Sequence, residues 1–138
     1  MKSFIFIKFL LVFLFLAGMG CKETTLVENT FTIGTPAGFR INQLYTSTDG
    51  VYTLLIKEIV DSRCPEGVEC IWSGEVTVKG EWTDNKNKSN FELHSIMNHQ
   101  QTYPTGFTMK IVDAKPYPKF GTESKPNDLV VTLLIQKK

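Results

Sequence analysis

The sequence lacks the residue patterns on which several common protein chemistries depend. Its 15 basic side chains nearly balance 14 acidic ones, so the formal net charge is only +1. A chain without an excess of basic residues lacks the electrostatic footprint of a nucleic-acid-binding protein. It also contains neither a glycine-rich phosphate loop nor a Gly-x-Ser-x-Gly nucleophile turn. We therefore expect no cofactor and no nucleic-acid partner.

Histidine, the commonest ligand of catalytic metals, is scarce as well. The two histidines, His94 and His99, lie in a segment that predicts a strand followed by a loop, so their side chains are expected to diverge. Glu66 and Glu69 are two acids without the aspartate-rich loop of a typical calcium site. The sequence thus predicts no metal site and no catalytic residue, and an enzyme is the least favoured class of function.

One long apolar run is present, at the N-terminus. Lys2 and Lys8 precede the apolar stretch Phe9–Gly20. A basic start followed by about 7–15 apolar residues is the layout of a secretory signal, whereas a membrane-spanning helix needs about 20 apolar residues. Residues 1–20 are therefore predicted to be a signal peptide, with an uncleaved membrane anchor as the alternative.

The end of this run, LAGMGC at residues 16–21, resembles the lipobox of bacterial lipoproteins, in which small residues precede a lipidated cysteine. The resemblance implies that Cys21 is the lipidated N-terminus of the mature chain, held on a membrane by several acyl chains. Lys22 and Glu23 resemble the surface-export signals of Bacteroidetes lipoproteins. The expected location is the bacterial cell envelope, on the periplasmic or the surface face of the outer membrane. An ordinary signal peptide, whose cleavage leaves a free thiol, is the alternative.

Beyond Cys21 the apolar side chains recur with period two, which is typical of β-strands. Residues 21–29 are predicted to form a lipidated tether and residues 30–138 a single β domain. Val51–Val60 and Leu129–Gln136 are apolar on both faces, so each is expected to be a central strand. Seven short strands predict an all-β fold, an antiparallel β-sandwich of immunoglobulin-like architecture, with a small β-barrel as the alternative.

The clearest alternation runs over Ile71–Trp82. Trp72 and Trp82 share its apolar face and are expected to lie in the core. The polar stretch Thr83–Asn90 is predicted to be a hairpin loop. The remaining predicted strands are Thr30–Ile33, Gly38–Tyr45, Asn90–Ile96 and Phe107–Val112.

Cys64 and Cys70 are close in sequence and are predicted to form a disulfide. An exported domain folds in an oxidising compartment, where neighbouring cysteines are usually bridged, and only this pairing is left if Cys21 carries lipid. A zinc site and a redox dithiol are the alternatives. The histidines do not lie at a zinc-finger spacing, and a redox dithiol normally has two residues between its cysteines instead of five.

Four charged residues surround this cysteine pair, namely Asp61, Arg63, Glu66 and Glu69. One interpretation is a recognition loop on a rigid scaffold. In the other, which we favour, Asp61 and Arg63 satisfy backbone groups that a constrained loop leaves unpaired.

The stretch DSRCPEGVECIWSGEV at residues 61–76 resembles the signature of a family of small, uncharacterised secreted bacterial proteins and lipoproteins with a DSRCPxxVxCxWxG motif. The segments GFTMKI at 106–111 and PYP at 116–118 resemble the end of the same family. The resemblance covers residues 31–135. It implies a compact β domain with a disulfide and an envelope location, and it brings no catalytic residue.

These observations predict a lipid-anchored protein of the bacterial cell envelope that acts as a non-catalytic binding or structural module. Its expected partners are the membrane, through the N-terminal lipid, and an unknown protein. The alternative is an inhibitor of a protease or another secreted protein, acting through loops 61–70 and 97–106.

Overall fold

Strands dominate the computed structural model of the chain, which describes residues 29–85, 87–97, 100–102, 106–123 and 125–138. Within those ranges the only helical element is a short 3-10 helix at Pro126–Asp128, and no helix is long and apolar enough to cross a membrane. The strands are β1 (Thr30–Phe31), β2 (Ala37–Phe39), β3 (Leu44–Ser47), β4 (Tyr52–Asp61), β5 (Val76–Asp84), β6 (Asn87–His94), β7 (Gln100–Thr102), β8 (Phe107–Lys115) and β9 (Val130–Lys137).

The N-terminal predictions fall outside this range. The signal peptide at residues 1–20, Cys21 and all but the last residue of the tether at 21–29 lie beyond the described residues. Lipidation of Cys21 therefore stays a prediction.

Two sheets form the predicted sandwich. One has five strands in the order β1-β3-β4-β5-β6 and the other has four in the order β2-β9-β8-β7. Every pair is antiparallel except β1 with β3. The all-β sandwich is confirmed, and the two separate sheets exclude the closed barrel. Successive hairpins connect β3 through β6, whereas immunoglobulin domains use Greek-key connections.

Aromatic side chains from both sheets fill the space between them. Trp82 of β5 stacks on Tyr52 of β4 with ring centroids 5.2 Å apart, and the Phe107 ring of the opposite sheet lies 5.1 Å from the indole. Phe31 and Phe39 make a second contact between the sheets, at 5.6 Å. Trp82 is therefore a core residue, as predicted, and its burial against rings of both layers stabilises their packing.

A β-bulge changes the phase of β4. The register between β4 and β5 shifts between Ile56 and Glu58, so one extra residue brings Ile59 onto the buried face that Leu54 and Ile56 occupy. Val60 is exposed. The strand is central, as predicted, but only one of its faces is fully covered. Ile59, which the alternation placed on the second face, reaches the buried face through the bulge.

The hairpin between β5 and β6 is much shorter than the predicted loop Thr83–Asn90. Asp84 pairs with Asn87, and Asn85 has a φ of 45°, a left-handed conformation that asparagine tolerates in tight hairpin turns. The polar residues on either side continue the ladder. They can do so because β6 is an edge strand of its sheet and part of its surface faces solvent.

Candidate functional site

The connection between β4 and β5 at residues 62–75, hereafter the disulfide loop, carries most of the predicted site residues. Cys64 and Cys70 form a disulfide with their Cα atoms 5.9 Å apart. This confirms the predicted bridge, and bridged sulfurs are not available as the thiolates that zinc binding or dithiol chemistry requires. Among the described residues, no group of three or more histidine, cysteine or acidic side chains could hold a metal ion.

Hydrogen bonds close the base of the disulfide loop. The Ser62 backbone N–H and hydroxyl both donate to the Glu75 carbonyl at 2.9 Å, and the Glu75 N–H donates to the Ser62 hydroxyl at 3.1 Å. The Cys64 N–H donates to the Ser73 carbonyl at 2.8 Å. Gly74 has a φ of 66°, and a Cβ atom on it would lie 1.8 Å from the Ser62 carbonyl oxygen. This close approach requires glycine.

A buried ion pair attaches the disulfide loop to the other sheet. Arg63 donates from Nε to Oδ1 of Asp61 at 2.8 Å and from Nη2 to Oδ2 at 2.6 Å, and the two side chains are only 12% and 7% exposed. The guanidinium also donates to the carbonyls of Ala114 at 2.8 Å and Pro116 at 3.1 Å. Its Cζ atom lies 4.5 Å from the centre of the Tyr117 ring.

The contact with Asp61 raises the pKa of the Arg63 guanidinium above its ordinary value. The Arg63 N–H also donates to Asp61 Oδ1, at 3.1 Å. Because these two side chains bind one another and backbone groups, their polar atoms are engaged in holding the disulfide loop against β8.

A second connection joins the disulfide loop to residues 116–129, hereafter the β8–β9 loop. The Glu66 N–H donates to the Pro118 carbonyl at 2.9 Å, and the Phe120 N–H donates to the Glu66 carbonyl at 3.2 Å. The side chains of Glu66 and Glu69 are exposed, and neither has an ion-pair partner within the described part of the chain. Of the four predicted recognition residues, these two remain accessible.

Large apolar side chains project into solvent at this end of the sandwich. In the disulfide loop, Ile71 is 108% exposed and Trp72 is 66% exposed, and Phe120 of the β8–β9 loop is 72% exposed. The predicted burial of Trp72 is therefore wrong. The strand pairing of β5 begins only at Val76, because the left-handed Gly74 interrupts the alternation that the sequence suggests.

A buried carboxylate lies where the disulfide loop enters β5. Glu75 is 8% exposed, and its Oε1 lies 3.1 Å from Nδ1 of His94 while its Oε2 accepts a hydrogen bond from the Met97 N–H at 3.3 Å. Burial alone would raise the pKa of Glu75, but the Met97 N–H and His94 outweigh it and lower that pKa below its ordinary value.

His94 is held between carboxylates. Its Nδ1 faces Glu75 and its Nε2 lies 3.4 Å from Oε1 of Glu92. The hydroxyl of Thr77 lies 3.3 Å from the same Nδ1 that contacts Glu75. The ring therefore links β5 to β6. His99, which was expected to diverge from His94, lies outside the described residues, as do positions 98 and 103–105 of the predicted loop 97–106.

An open groove of about 320 Å³ runs along the β8–β9 loop between Pro116 and Asp128. Its lining includes Lys119, Glu123 and Lys125. Sites for small molecules are usually enclosed by apolar side chains with a few converging polar groups. The groove is open to solvent and does not enclose a ligand as such a site does.

Sequence-based prediction missed two features of this end of the molecule. Ile71 and Trp72 point outward instead of belonging to a strand, and the β8–β9 loop brings Tyr117 and Phe120 beside the disulfide loop. The signal for the first was Gly74, since a glycine inside a strand pattern often marks a break in regular pairing. No family model, curated protein or solved structure matches the chain.

Proposed function

We propose that the protein is a lipid-anchored component of a bacterial cell envelope and acts there as a non-catalytic module that binds another protein. The observation that carries the binding role is the exposure of Ile71 and Trp72 on a loop held by a disulfide and a buried ion pair. Exposed apolar residues on a rigid support are characteristic of interaction sites, because their burial by a partner is favourable and costs little ordering entropy.

The anchoring role rests on the N-terminal sequence and is consistent with the disulfide. A signal-like apolar run ends in a lipobox-like segment at Cys21. A bridge between Cys64 and Cys70 suits an oxidising compartment such as the bacterial periplasm or the cell surface.

Inhibition of a protease or of another secreted protein is the second candidate. It is favoured by the braced, outward-pointing form of the disulfide loop, since proteins that block a cleft insert a rigid segment into it. Inhibition differs from the first candidate only in that the bound partner loses its activity. Both roles would use the same surface of the disulfide loop.

Metabolic labelling with a radioactive fatty acid tests the anchor. The wild-type chain should incorporate label and sediment with membranes, and Cys21→Ser should lose the label and appear in the soluble fraction. A double variant, Cys64→Ser with Cys70→Ser, controls for general loss of thiols and should keep the label. A Cys21→Ser chain that stays labelled and membrane-bound would contradict lipidation.

A further inference from the structure

We infer that the disulfide loop is a convex probe that inserts Ile71 and Trp72 into an apolar pocket with a basic rim on a protein partner. The inference rests on the proposed binding function and does not depend on the proposed lipidation of Cys21.

The shape of the site determines what kind of ligand it fits. Ile71 is fully exposed and the adjacent Trp72 is two-thirds exposed, so the loop projects from the surface at this point. Small molecules bind in concave sites that enclose most of their surface, which a projecting pair of side chains cannot provide. A pocket or cleft on a folded protein is the complementary shape, and tryptophan is among the residues that most often dominate such contacts.

The loop is organised before any partner binds. The Cys64–Cys70 bridge closes it, paired backbone hydrogen bonds hold its base, and Arg63 fastens it to the carbonyl of Ala114. Binding therefore avoids much of the entropic cost of ordering a flexible segment. A structural role alone would not require apolar side chains at its outermost positions.

The charges around the probe indicate the chemistry of the pocket rim. Glu66 and Glu69 are exposed in the same loop, on the N-terminal side of Ile71 and Trp72. Unpaired carboxylates beside an apolar contact favour a partner with lysine or arginine at its rim. They also disfavour insertion into a membrane, because anionic lipids repel negative charge.

Site-specific photo-cross-linking in intact cells tests this inference. A photo-reactive amino acid is placed at position 71 of the full chain and, as a control, at position 44. Leu44 is an equally apolar residue that is 59% exposed, but it pairs with Leu55 in the middle of β4. We expect one protein to be cross-linked at position 71 and not at position 44. That protein is then identified and purified.

Titration of that purified protein against the full chain supplies the decisive measurement. Trp72→Ala should weaken binding about tenfold or more, and Glu66→Lys combined with Glu69→Lys should weaken it further at low salt. Leu44→Ala should leave the affinity unchanged. Vesicles of phosphatidylethanolamine and phosphatidylglycerol should not shift the Trp72 fluorescence.

Four results would overturn the inference: equal adducts at positions 71 and 44, adducts with lipid, no adduct at position 71, or an affinity that Trp72→Ala does not change. Near-ultraviolet circular dichroism of Trp72→Ala confirms that the variant is folded. If Cys21→Ser stays on the membrane while the adduct at position 71 persists, the proposed anchor fails and the contact between probe and pocket stands.

Discussion

Arg63 and Asp61 form a bidentate ion pair, at 2.8 and 2.6 Å, in which both side chains are almost removed from solvent. The guanidinium of Arg63 also donates to the carbonyls of Ala114 on the opposite sheet and of Pro116 at the start of the β8–β9 loop. The pair therefore joins the end of β4 to the end of β8 and fixes the position of the disulfide loop.

Removal of the arginine should destabilise the fold strongly. Arg63→Ala leaves the Asp61 carboxylate buried without a charged partner, so we expect the free energy of unfolding to fall by about 3 kcal/mol. Lys79→Ala breaks an exposed pair with Glu58 and should cost less than about 1 kcal/mol. Urea denaturation of both variants measures the difference. Equal losses would mean that the Arg63–Asp61 pair is no more important than a surface contact.

Gly74 should tolerate no side chain. In Gly74→Ala the new Cβ would lie 1.8 Å from the Ser62 carbonyl oxygen, and the φ of 66° adds further strain, so a loss of about 3 kcal/mol or more is expected. Gly67 of the same loop has a φ of 92° and open space around it. Gly67→Ala is the matched control and should cost about 1 kcal/mol. Thermal denaturation that ranks the two variants the other way would contradict the close approach.

Glu75 should make stability depend on pH under acidic conditions. The pKa of Glu75 is lower in the folded protein than its ordinary value of 4.5. The ionised carboxylate therefore contributes its full stabilisation to the free energy of unfolding above that value, and this contribution is lost as the pH falls through the folded-state pKa. Denaturation of wild type and Glu75→Gln at several pH values measures this difference. We expect the variant to lose less stability than the wild type as the pH falls below 4.5.

Glu69→Gln removes an exposed carboxylate from the same loop and serves as the control for the loss of one negative charge. An identical pH profile for wild type and Glu75→Gln would contradict the role assigned to the contacts of Glu75 with Met97 and His94.

The two tryptophans should behave as an exposed and a buried residue. Iodide should quench the fluorescence of Trp82→Phe, which retains only Trp72, and hardly affect Trp72→Phe, which retains only Trp82, because the two indoles are 66% and 1% exposed. Trp72→Ala should change stability by less than about 0.5 kcal/mol, whereas Trp82→Ala should cost about 3–5 kcal/mol. Equally weak quenching of both variants would show that Trp72 is buried, as the strand pattern suggested.

The alternation of apolar and polar side chains along short segments was enough to predict much of the fold. The strand period around Val76 and Val78 correctly placed Trp82 in the core, and apolar residues on both faces correctly made β9 a central strand. The short spacing of Cys64 and Cys70 predicted their disulfide. Each of these features depends on residues near one another in sequence, so a short window contains the necessary information.

The alternation of apolar and polar residues predicted the wrong burial wherever a bulge or a left-handed residue interrupted the regular strand. The bulge near Lys57 moved Ile59 to the buried face of β4, and the left-handed Gly74 ended the pattern that had placed Trp72 in a strand. A bulge costs little locally and is selected by the packing of the whole sheet. Neither change is therefore evident from residue type alone.

The amino-acid sequence by itself determined the fold class and the disulfide of this protein, because period-two burial and close cysteines are both local patterns; its export stays a prediction from the N-terminal apolar run. Only the tertiary structure decided which charged residues hold the loop in place and which apolar side chains stay exposed. Arg63 meets Ala114 across 51 positions of sequence, and Ile71 and Trp72 are exposed because the contacts of that arginine and Gly74 direct the loop outward. Such contacts depend on how two sheets pack, which no local pattern specifies.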